Sequence, residues 1–237
     1  RATLTKMGAE HDAVFSFEAS LLESDRVAVA TAGIAAVTLT IEGRAAHAGV
    51  SPEKGVNALY EMAHQIMQMR DLSDPATGVK LNWTLANAGA VRNVIPADAT
   101  ASADVRVLRV ADYDGIEKKV RERIQNKLLP DSKIEMAFER RRPPLEFKGV
   151  QKNMAAQLQA IYRELDRQLE VSDVPEGGGT DAAFAALKSQ APVIERMGMR
   201  GFGPHSLNAE YIDTDSIEPR LYLAVRAIMD VAQGKVK

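Results

Sequence analysis

The apolar residues of this chain change their spacing in a regular order. From Val37 to Ile41 they alternate with threonine (Val37, Leu39, Ile41 against Thr38, Thr40), the period of a half-buried strand. After a loop holding Pro52 and Gly55, the spacing of Leu59, Met62, Ala63, Ile66 and Met69 is helical. Alternation returns at Val79, Leu81, Trp83 and Leu85. It recurs at Ala101, Ala103, Val105 and Val107, set against Ser102, Asp104 and Arg106. Tyr113, Ile116, Val120, Ile124 and Leu128 mark a second helix face closed by Pro130, and Ile134, Met136 and Phe138 give one more strand. The order β-α-β-β-α-β, from about Gly33 to Glu139, predicts a ferredoxin-like α+β unit with both helices on one face of an antiparallel sheet. Such a sheet keeps open edges, so association through an edge strand or helix is expected.

The flanks are α/β in pattern. Asp12 to Phe17 and Val27 to Thr31 are predicted as short buried strands. After Pro143 and Pro144 comes a helix with Met154, Leu158, Ile161 and Leu165. The run Gly177-Gly178-Gly179-Thr180-Asp181 then opens an alanine-rich helix to Leu187. Pro192 to Ile194 suggests a buried strand, and a last helix is expected to turn Ile217, Leu221, Val225 and Ile228 inward. Thirty-one residues are too few for a domain. Residues 1–31 and 144–237 are therefore predicted to form one discontinuous α/β domain, with residues 32–143 inserted between two strands of its sheet.

Composition narrows the chemistry. The 237 residues are 46% hydrophobic and 26% charged, ordinary for a globular protein. A formal charge of −2 gives no electrostatic reason to expect nucleic acid or an anionic membrane as partner. Without cysteine, disulfides and thiolate metal sites are excluded, so a bound metal would need His, Asp or Glu. Nothing here separates cytoplasm from periplasm.

Six short segments carry candidate chemistry: Ser16-Phe17-Glu18, Gly43 to Gly49 around His47, Asn93-Val94-Ile95-Pro96, Ala103 to Arg106, Gly177 to Ala182, and Gly203-Pro204-His205-Ser206 with Glu210-Tyr211. In this order and spacing they resemble the dizinc carboxypeptidase and aminoacylase family of metallopeptidases, in particular its bacterial glutamate carboxypeptidases. The resemblance covers the chain from about Asp12 onward. It implies a mixed-sheet zinc-exopeptidase-like catalytic domain with two zinc ions, and an inserted ferredoxin-like domain that makes a homodimer. The implied substrate is a small peptide or N-acyl amino acid, cleaved next to a free carboxylate.

By the same resemblance, Glu18 and His205 are metal ligands, one for each zinc. His47 stabilises the oxyanion across the dimer. Asn93, Arg142, Gly178 and Gly179 bind substrate, Arg142 because its planar fork suits a carboxylate. Glu176, Ala28 and Arg26 stand where the glutamate carboxypeptidases carry threonine, serine and lysine, so the side-chain preference is not carried over. Family members hold three further metal-ligating residues and the general base before the segment matching Ser16 to Glu18, and residues 1–17 offer no replacement. The chain is therefore expected to be a portion of such a hydrolase, inactive by itself. The alternative is a non-catalytic dimerisation module retaining half a metal site.

Overall fold

A computed structural model describes residues 1–237 apart from Leu22, Glu176, Gly177, Pro204, His205, Asn208, Val236 and Lys237. The chain runs through α1 (Ala2–Glu10) and three short strands, β1 (Val14–Phe15), β2 (Ser20–Leu21) and β3 (Arg26–Ala28), into the long strand β4 (Gly33–Glu42). Then come α2 (Ala58–Gln68), β5 (Lys80–Ala88), β6 (Asp98–Val107), α3 (Asp112–Arg123) and β7 (Lys133–Arg142). The remainder is α4 (Gly149–Arg163), β8 (Glu170–Ser172), α5 (Ala182–Ala186), β9 (Val193–Ile194), β10 (Arg200–Phe202), β11 (Tyr211–Ile212) and α6 (Ile217–Ala232). Two units divide these elements: Arg1–Ala32 with Arg142–Lys237, and Gly33–Arg141.

In the second unit the sheet order is β5-β6-β4-β7, the ferredoxin-like order for βαββαβ. β4 pairs antiparallel with β6, so Val37, Leu39 and Ile41 stand opposite Ala103, Ala101 and Ala99. Large residues on one strand face small ones on the next, and all six are buried. The space above them is filled from α2 by Met62 and from α3 by Tyr113, Ile116 and Val120. Each such aliphatic side chain contributes about 1.5–3 kcal/mol by leaving water. Asn57 starts α2 by accepting the backbone N–H groups of Leu59 and Tyr60.

Four apolar positions depart from the expected pattern. A bulge between Trp83 and Leu85 adds one residue to β5, so Trp83 faces Ala103 while Leu85 pairs with Ser102 and is 69% exposed. Ala58 takes the inward place beside Met62, leaving Leu59 and Ala63 exposed. Helix α3 stops at Arg123, well before Pro130, and Leu128 lies outside it and exposed.

In the first unit, strands from residues 1–32 pair in parallel with later ones: β1 with β9, β3 with β8, and β2 with β10, which also pairs antiparallel with β11. These strands are two or three residues long, and they make three short ladders, two of them joined by a bridge between Ala28 and Glu195, where one continuous sheet was expected. The core beneath them joins Val27, Val29, Met154, Leu158, Ile161, Tyr162, Ile194, Met197 and Leu223. Where the chain leaves this unit and returns, Thr31 and Leu145 exchange two backbone hydrogen bonds of 3.0 and 3.2 Å.

Helix α6 lies the other way round from its expected orientation. Leu223, Ala224 and Ala227 are buried, whereas Ile217, Leu221, Val225 and Ile228 are 43–63% exposed. The buried face is the one carrying Arg220, itself 2% exposed, which donates to Asp25, Ser20 and the carbonyls of Arg26 and Arg196 and lies over the Tyr162 ring. Two alanines let the helix approach closely, and the anchored guanidinium fixes its rotation. Apolar periodicity cannot register either effect.

Candidate functional site

Because β1 and β9 are parallel, their carboxyl ends lie on the same side, the position where open α/β sheets place ligands. The chain continues from them as Ser16-Phe17-Glu18 and Glu195-Arg196. Pairing persists past the strands: Ser16 N–H donates to the Ile194 carbonyl, Met197 N–H to Ser16 and Gly198 N–H to Glu18, at 2.9, 2.9 and 3.0 Å. A Cβ at position 198 would sit 2.5 Å from the Phe17 oxygen and 2.7 Å from that of Glu18. Glycine is therefore required for this approach. The Glu18 side chain itself is exposed.

Glu195 is 3% exposed. The Thr180 hydroxyl donates to its Oε2 at 2.6 Å and in turn accepts the Ala182 backbone N–H at 3.0 Å. Burial raises its pKa, and the charge of Glu18 adds to this; hydrogen bonds from Thr180, Ser16 and the Arg196 N–H oppose it. The next residue, Arg196, has φ +64°, an αL conformation uncommon outside glycine.

Arg142 Nε donates to Asp181 Oδ1 at 2.7 Å, which brings the guanidinium beside the segment that follows the glycine run. With both side chains substantially exposed, at 44% and 64%, the pair adds at most about 1 kcal/mol to stability. A Cβ at Gly178 would meet nothing within 4 Å, so packing does not demand glycine there. Helix α5 has only five residues. Gly178 and Gly179 therefore lack the field of a long helix behind them, and what they can offer a ligand is their backbone N–H groups.

In the second unit, the segments around His47 and Asn93 lie side by side. His47 bridges Val94, and Ala48 N–H donates to the Asn93 carbonyl at 2.9 Å. The N–H groups of Gly49 and Val50 point at His47 Nδ1 from 3.1 and 3.2 Å. An Nδ1 that accepts from two backbone donors carries no hydrogen, which leaves the ring proton on Nε2. Both His47 and Asn93 are exposed. A groove of about 440 Å³ nearby is lined by Ala88, Val94, Ile95 and Pro96 among others, but by neither of these two residues.

His205, with Pro204, Glu176 and Gly177, lies outside the described residues. Among the described residues no group of three or more His, Cys, Asp or Glu could hold a metal ion. Glu18 near a buried Glu195 does not by itself fit a paired-metal centre. Glu195 carried no functional expectation from sequence. The one available signal was a charged residue closing the apolar run Pro192-Val193-Ile194.

Residues 29–132 match the model of a peptidase dimerisation domain. The chain is 43% identical over 224 residues to carboxypeptidase G2 of Pseudomonas sp. (strain RS-16), an alignment covering 94% of this chain and 54% of that protein. A shorter stretch of 71 residues, 30% of the chain, is 35% identical to a p-aminobenzoyl-glutamate hydrolase homolog of Haemophilus influenzae and covers 17% of it. The chain thus spans about half the length of the carboxypeptidase, and its match to the hydrolase homolog is shorter still. Among solved structures, the Bacillus subtilis YXEP protein, described as a dinuclear metal-binding peptidase, superposes with a TM-score of 0.66 at 17% identity, over 93% of this chain and 58% of that one. Taken together, these matches show a peptidase dimerisation domain at residues 29–132, and over most of the chain a similarity to carboxypeptidase G2 and to the fold of M20-family peptidases.

Proposed function

We propose that this chain is a portion of a metallohydrolase that cleaves a peptide or N-acyl bond next to a free carboxylate. The observation that carries this reading is the pairing of Arg142 with Asp181, which brings a cationic fork beside the segment that follows Gly178 and Gly179. Arg142 would exchange Asp181 for the substrate's carboxylate, and the backbone N–H groups of Gly178 and Gly179 would hold its other oxygen. Asn93 would bind the substrate's carbonyl. His47, with its proton on Nε2, would donate to the oxyanion in the partner protomer's site. Glu18 and His205 would be this chain's ligands, one to each of two zinc ions in the complete site.

The homodimer would form through the second unit. Tyr60, Ala63 and Met67 share one outer face of α2, and β5 is an edge strand with Leu85 exposed.

On this reading the chain alone should bind p-aminobenzoyl-glutamate without turning it over. Calorimetric titration and product analysis in the presence of zinc test this. Absence of binding would overturn the substrate reading. Sustained hydrolysis by a chain of verified mass would overturn the expected inactivity. Binding lost on Arg142→Ala but kept on Arg141→Ala would support the carboxylate role; the non-catalytic dimerisation module predicts dimer formation without ligand binding.

A further inference from the structure

Glu195 has no part in the roles proposed above, yet its surroundings are unusual for a residue ending an apolar strand. A carboxylate buried to 3% exposure is costly unless its oxygens are satisfied. What holds it comes from separate segments. Thr180, which follows Gly179 directly, donates to its side chain, and the strand end it closes is tied to Ser16, two residues before Glu18, by the Ser16 N–H on the Ile194 carbonyl and the Met197 N–H on that of Ser16. The Glu195 backbone exchanges hydrogen bonds of 2.8 Å with Ala28, and the turn that follows requires the αL conformation of Arg196. An apolar side chain would close this strand at lower cost, but it could not tie a loop on one side to a strand end on the other.

We propose that Glu195 is a positioning residue, fastening Gly178 and Gly179, through Thr180, to the strand end that leads to Glu18 and so setting the distance between the carboxylate-binding groups and the reacting end of the site. This rests on the function proposed above, and its test separates the two.

Hydrogen exchange would be followed by mass spectrometry at residues 16–19 and 178–182, with β3 and β8 as internal references, in the wild-type chain and in Glu195→Ala, Glu195→Gln and Thr180→Val. Glu195→Ala is expected to accelerate exchange in both segments by about tenfold or more, the effect of losing a charge-assisted hydrogen bond, while β3 and β8 hold. Glu195→Gln should restore most protection at 178–182, since its amide oxygen still accepts from Thr180. Thr180→Val should loosen that segment only. Unchanged exchange in both segments, or an equal rise throughout the first unit, would overturn the proposal. Should Glu195→Ala not fold, the glutamine and Thr180 variants still decide the matter.

A parallel titration with p-aminobenzoyl-glutamate is expected to show about tenfold weaker binding to Glu195→Ala than to wild type. If the wild type itself does not bind, the proposed function fails, while the exchange pattern still decides the positioning role.

Discussion

Glu61 is a fully buried carboxylate on α2 whose removal should unfold the ferredoxin-like unit far more readily than its single side chain suggests. It accepts hydrogen bonds from Leu129 N–H at 2.7 Å, Gln65 Nε2 at 2.8 Å, and Leu128 N–H and the Ser132 hydroxyl at 3.2 Å. Gln65 and Ser132 have second acceptors in the carbonyls of Asn126 and Leu129. Glu61→Ala therefore strands chiefly the two backbone donors. At about 1–3 kcal/mol for each orphaned group, the loss should be about 3–4 kcal/mol. With a urea dependence of about 1–2 kcal/mol per molar, the midpoint should fall by about 2 M. Trp83 is the only tryptophan and lies in this unit, so its fluorescence reports the unit selectively. Acidity gives a second readout. Burial pushes the Glu61 pKa up, but the hydrogen bonds from Gln65, Leu129, Leu128 and Ser132 together hold it below its usual 4.5. A depressed folded pKa means a contribution fully present above pH 4.5 and lost as pH falls through the folded value. Glu61→Ala should flatten that acid limb. A midpoint shift below about 0.5 M would mean that water satisfies Leu128 and Leu129 once Glu61 leaves, and the reasoning would fail.

Three further outcomes are expected. Leu223→Ala should destabilise the first unit by about 2–5 kcal/mol and Leu221→Ala by no more than about 0.5, read from hydrogen exchange in α4; the reverse order would refute the orientation of α6. Gly198→Ala should displace the backbone of Phe17 and Glu18, accelerating exchange there, and unchanged protection would show that the close approach can relax. Met67→Glu should shift the chain from dimer to monomer in sedimentation without altering Trp83 fluorescence, whereas an unaffected dimer would place the interface away from the outer face of α2.

Much of the ferredoxin-like unit was legible before the structure because its long strands alternate against helices with one apolar face. Two departures can be located: a bulge turned Leu85 outward, and in α2 Ala58, next to the Asn57 cap, takes the inward place instead of Leu59. In the first unit the strands are too short for a period to develop, and pairing between β1 and β9 joins residues far apart in sequence. There α6 misled outright, since four large apolar residues outweigh Arg220 and two alanines in any periodic count. Candidate site residues could be named from motifs. That Arg142 lies beside the glycine run follows only from the fold, and Glu195 resembled an ordinary strand terminus. His205 lies outside the described residues.

The reciprocal hydrogen bonds between Thr31 and Leu145 bear on how the protein folds. They fasten the two crossing points of an insertion of on the order of a hundred residues. Closing a loop of that length in a flexible chain costs roughly 4–5 kcal/mol of entropy. Once the insertion has folded, its first and last strands, β4 and β7, are neighbours in one sheet, and the ends it presents to the host are already tethered near each other. The host then has only a few residues left to close. Order of assembly follows: the insertion should fold first and act as a template for its surroundings, even though the chain begins outside it. Mutations that melt the insertion should thus slow the formation of β1–β9 and β3–β8 pairing without touching a single residue of those strands.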